Sequence, residues 1–149
     1  MTYSNATAHH RHQSASAASS HAPATRLFLA LSGAMLALVG ASILFVPHAF
    51  YASNQIELGV QPNLMSEIRA PGGLFLASGL VIVAGAFRSR LQQFALAICA
   101  ISFGMTGLSR LVSLFFDGLP TASILIALGI ELVVAAIALA RLATRPGTE

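Results

Sequence analysis

The chain has 149 residues, 56% of them hydrophobic and 9% charged, and its net charge of +3 rests on eight arginines with no lysine. A soluble domain carries about 25% charged residues, so most of this chain is expected to be solvated by lipid. The arginines flank apolar runs instead of forming a patch, which argues against nucleic acid as a partner. The single cysteine, Cys99, excludes an internal disulfide, a CxxC redox pair and a cysteine-based zinc cluster.

Residues 1–25 are rich in Ala, Ser, Thr and His and show no hydrophobic period. Such a segment buries too little apolar surface to offset its ordering entropy. It reads as a disordered tail. His9, His10, His12 and His21 could chelate a metal loosely, but the composition is that of a solvated low-complexity tail. No metal or other cofactor is assigned.

The rest, residues 26–142, reads as one domain of four spans, since crossing a bilayer takes about 20 apolar residues. The spans are expected over about 26–46, 67–87, 91–116 and 121–142. Span one is longer than the apolar core of a signal peptide and ends in Val46-Pro47-His48, so it reads as a retained helix. Gly33, Ala37 and Ala41 recur every four residues and offer a smooth face for a neighbouring helix. Phe50 and Tyr51 suit the membrane–water interface. The segment 48–66 is the long loop, whose local structure the sequence leaves open.

Span two opens on Ser66-Glu67-Ile-Arg69-Ala-Pro71. Ser66 is a candidate N-cap, and Pro71 predicts a start near Ala70 or a kink there. Arg69, Gly72, Leu76 and Gly79 share one helix face. In span three Cys99, Ser102, Thr106, Arg110, Ser113 and Asp117 are spaced as one helical face, so this stripe is expected to face the protein interior. The alternative is that its small hydroxyls only bind helices together. Asp117-Gly118 and Pro120 mark a turn. In span four Ala127, Glu131, Ala135 and Ala138 share a face, so Glu131 sits among small residues.

Arg11, Arg26, Arg88, Arg90, Arg141 and Arg145 flank one side, and the loops 47–66 and 117–120 hold no arginine. The positive-inside rule then places both termini in the cytoplasm. Rising about 1.5 Å per residue, Glu131 lies about 15 Å from the outer end of its span and Arg110 about 9 Å from that of its own. The gap of about 6 Å is within an arginine's reach. A lone charge at that depth costs about 2.5–3.5 kcal/mol on the insertion scale, so Glu131 is paired, protonated or wetted by a cavity. Asp117 and Glu67 compete for the same guanidinium. The candidate polar cluster or ligand site is therefore Glu67, Arg69, Arg110, Ser113, Asp117 and Glu131, with no catalytic residue and no metal ligand assigned.

The segments Glu67-Ile-Arg-Ala-Pro-Gly-Gly-Leu74, Gly107-Leu-Ser-Arg-Leu-Val-Ser-Leu-Phe-Phe-Asp-Gly-Leu-Pro120 and Glu131-Leu132 resemble those of the bacterial domain-of-unknown-function 4345 family. That resemblance covers about residues 26–142. It implies an all-α membrane protein, a four-transmembrane-helix bundle, and carries no activity with it. In layout the chain is also similar to the DoxX-like four-helix membrane proteins.

Three classes of function are compatible with these residues. The leading one is a structural or accessory membrane protein whose charges hold helices in register, with the lipid bilayer and either a second copy or another membrane protein as partner. The alternative is a small-ligand or proton-linked binding or transport site open to the periplasm. An intramembrane enzyme ranks last. The sequence offers no catalytic cysteine–histidine or serine–histidine pair and no phosphate loop, although acid/base chemistry on Glu131 or Asp117 stays open.

Overall fold

The computed structural model describes residues 5–144, with side chains described from Pro23 onward. Among them there is no strand. The elements are α1 (Asn5–Phe45), a short α2 (Pro47–Ala52), α3 (Pro62–Phe87), a 3-10 turn (Ser89–Leu91), α4 (Gln92–Phe116) and α5 (Ala122–Ala143). Among the described residues four segments are long and apolar enough to cross a membrane: Pro23–Phe45, Pro62–Phe87, Ser89–Phe116 and Ala122–Ala143. Large apolar side chains such as Leu74, Phe94, Ile101 and Ile126 stand exposed on them. Lipid accommodates such a surface at no cost, and water does not. The chain is a multi-pass membrane protein.

The disordered tail expected over residues 1–25 falls largely on residues 1–22, which lie outside the described side chains; the α1 backbone is helical from Asn5. Its last residue, Thr25, belongs to the span. It is buried and takes a hydrogen bond of 2.6 Å from Arg141.

Two antiparallel helix pairs make up the fold. α1 packs along α3, α4 packs along α5, and α3 meets α4 through the tight turn between them. Missing side chains set the first contact. A Cβ on Gly33 would come within 2.7 Å of the Val83 amide nitrogen, and one on Gly72 within 2.9 Å of that of Leu44. Gly40 and Gly79 likewise face backbone of the opposite helix, at Leu76 and Ala37. Gly33, Ala37 and Gly40 thus form the α1 seam. Ala41, also expected on this face, is half-buried as Ala37 is. On α3 the face of Gly72, Leu76 and Gly79 meets α1 as its spacing predicts.

The buried core joins Leu29 and Leu36 of α1, Ile82 and Ala86 of α3, Ala95, Leu96, Cys99 and Phe103 of α4, and Ala135 and Ala138 of α5. It fills the half of the helices nearer the chain termini. The Cys99 thiol lies within this core, 3.6 Å from the Ser32 hydroxyl.

Two boundaries differ from expectation. α3 starts at Pro62, with Gln61 and not Ser66 as its N-cap residue. Proline suits the first helical position because the N–H it lacks has no partner there. The helix then runs through Pro71, which removes only the bond that the Glu67 carbonyl would accept. The long loop also contains a helix, α2. It ends in a Schellman arrangement: Ile56 N–H donates to the Tyr51 carbonyl at 3.0 Å and Gln55 N–H to that of Ala52 at 3.0 Å. Gln55 takes the left-handed position, φ 63°, that glycine usually fills. Gly118 supplies the other positive φ, 93°, in the Asp117-Gly118 turn.

Candidate functional site

Toward the loop end the two helix pairs enclose a cavity of about 420 Å³. Met35, Leu36, Val39 and Ile43 of α1 form one wall, with Phe75 of α3 behind them. Phe103, Thr106 and Arg110 of α4 and Ile124, Ala127, Ile130 and Glu131 of α5 form the other. Phe50, Tyr51, Asn54 and Ile56 close it from α2 and the segment after it. α1 and α5 are not packed along their length. Contacts bridge the gap at its two ends, from α5 to the segment after α2 at one and to α1 itself at the other. At the loop end the Ser123 hydroxyl donates to Asn54 Oδ1 at 3.2 Å. At the other end Arg141 donates to Thr25 and lies over the Phe28 ring, 5.7 Å from its centroid.

The charged feature of the cavity is the ion pair of Arg110 and Glu131. Arg110 Nε donates to both carboxylate oxygens, 3.1 Å to Oε1 and 3.0 Å to Oε2. The carboxylate is 12% exposed and the guanidinium side chain 35%. Local sequence makes the approach possible. Gly107 lies one turn before Arg110, and a Cβ there would sit 3.0 Å from Leu132 Cδ2 and 3.5 Å from Glu131 Cβ. Without one, α5 comes close enough for Glu131 to reach the next turn of α4.

The other four candidate residues stand apart from this pair. Asp117 accepts a hydrogen bond from Ser113 at 2.8 Å, and both are exposed. Arg69 donates through Nη1 to the Leu44 carbonyl, one of the last in α1. A helix leaves its final carbonyls without intrahelical partners, and a basic side chain satisfies them well. Glu67 is exposed at the start of α3. The polar stripe of α4 turns gradually outward: Cys99 is buried, Ser102, Thr106 and Arg110 are half-buried, and Ser113 and Asp117 are exposed.

Sequence reasoning missed Tyr51 and Asn54 as lining residues. The available signal was the Pro47-to-Ala52 segment, whose proline at the first helical position foretells a short helix. Phe50 and Tyr51 contact each other edge to face at 5.5 Å, and both line the cavity. Among the described residues no group of His, Cys, Asp and Glu could hold a metal ion. The arrangement is a mostly apolar chamber with one oriented charge pair, a composition common among small-molecule sites.

The family model described as Domain of unknown function (DUF4345) matches residues 24–142, and the chain belongs to that family. No curated protein and no solved structure matches it.

Proposed function

We propose that this member of the DUF4345 family is a membrane-embedded binding protein that takes a small amphipathic ligand into the cavity between its two helix pairs. The observation that carries this reading is the cavity itself: about 420 Å³ of mainly apolar space with the Arg110–Glu131 pair in its wall. Ionisable groups inside a membrane are costly and usually serve a site or pathway. Replacing a buried ion pair by well-packed apolar residues is often neutral or stabilising, so stability alone does not account for the pair. In this reading the protein lies in the bacterial inner membrane with both termini in the cytoplasm. Arg26, Arg88, Arg90 and Arg141 at one end, against none in the loops of the other, support that orientation. The cavity then belongs to the periplasmic half.

Filling the chamber tests the proposal. Ala127→Phe places a ring in the cavity wall. If the chamber is a ligand site, masses that co-purify with the wild-type protein in native mass spectrometry disappear from the variant. If the space is only a packing gap and the protein is architectural, the variant is more stable and its bound masses are unchanged.

A further inference from the structure

The charge balance around Arg110 limits what kind of head group the cavity accepts. This inference rests on the reading of the cavity as a ligand site. A guanidinium carries five N–H donors in a fixed fork. Arg110 uses the one on Nε for Glu131, and its two terminal nitrogens make no hydrogen bond to the described residues. Four donors are thus left on a residue that lines the cavity. The pair already sums to zero charge. Tyr51 is the other titratable group in the lining. The acids Glu57, Glu67 and Asp117 are all exposed, and Asp117 is engaged by Ser113.

An anionic head would bring a net negative charge into a mainly apolar chamber, next to a carboxylate that already shares the guanidinium. A cationic head would compete with Arg110 for Glu131 and leave a net positive charge. Burying an uncompensated charge is costly, whereas a neutral acceptor oxygen satisfies free donors without changing the balance. The geometry points to a neutral amphiphile as the ligand: an uncharged carbonyl oxygen, as in a ketone, ester or amide, on the terminal nitrogens of Arg110, with its apolar body along Met35, Val39 and Phe75.

The test uses the full chain in lipid nanodiscs and four probes of equal length: 2-undecanone, undecanoate, undecylammonium and undecane. Affinity is read from the concentration dependence of the thermal midpoint, in wild type, Arg110→Met and Ala127→Phe. The expected result is saturable stabilisation of wild type by 2-undecanone, at least about 10-fold weaker in Arg110→Met, because a hydrogen bond to a charged donor is lost. Ala127→Phe abolishes it, and the charged probes act equally on all three proteins. Arg110-dependent stabilisation by undecanoate, or Glu131-directed stabilisation by undecylammonium that survives Arg110→Met, would overturn the neutral head while leaving the ligand site standing. Undecane binding as tightly as the ketone would do the same. If no probe distinguishes wild type from Ala127→Phe, the binding function proposed above fails with it.

Discussion

Removing one partner of the Arg110–Glu131 pair has consequences that depend on which charge is stranded. Glu131→Gln leaves a guanidinium that cannot be deprotonated. Breaking a buried pair costs about 3–5 kcal/mol when the remaining charge is fully enclosed. Here Arg110 is 35% exposed, and a glutamine oxygen still accepts from Nε. The expected loss is therefore lower, about 2–3 kcal/mol. Arg110→Leu leaves a carboxylate that can take up a proton and persist as a neutral acid, so its cost is milder, about 1–2 kcal/mol. Asp117→Asn disturbs an exposed contact with Ser113 and costs about 1 kcal/mol or less. The assay is reversible unfolding of the three variants in detergent at neutral pH. An order in which Asp117→Asn is the most damaging and Glu131→Gln is silent would refute the deep pair as the dominant interaction.

Three further outcomes are expected. Gly40→Leu drives a side chain into the α3 backbone at Leu76 and should lower stability by about 1–3 kcal/mol or more, whereas Gly73→Leu, where an added Cβ meets nothing within 4 Å, should be near neutral in thermal unfolding. Gln55→Gly relieves a left-handed residue at φ 63° and should raise stability by up to about 1 kcal/mol; a loss would mean that the glutamine side chain makes a contact that matters more than the backbone. In a Cys99→Ala background, a cysteine at the exposed Val60 should react with an impermeant thiol reagent in intact cells and one at Ser89 should not, and the reverse pattern would invert the orientation.

The spans were legible because lipid imposes one strong demand, a run of about 20 apolar residues, that local composition reports directly. Their packing was legible where small residues recur at helical spacing, as at Gly72 and Gly79. The first turns of α3 were hidden because Asn63, Ser66 and Glu67 dilute the apolar run, although Pro62 signals a helix start. α2 was hidden because six residues are too few to show a period. Depth along a helix can be counted from residue number, so Arg110 and Glu131 could be placed within reach of each other. Azimuth and end effects cannot be counted so easily. Arg69 is drawn to an unpaired α1 carbonyl at Leu44, and Asp117 finds Ser113 on its own helix. The cavity depends on how far two helix pairs diverge, which no single segment records.

A structure of the full chain in a lipid nanodisc, resolved well enough to show the cavity contents, decides between a ligand site and a packing gap. Arg110 Nε is expected on the Glu131 carboxylate, with a bound molecule whose acceptor oxygen lies about 3 Å from the terminal nitrogens of Arg110. A closed, close-packed interior between α1 and α5, with those nitrogens turned to Asp117, would contradict this expectation.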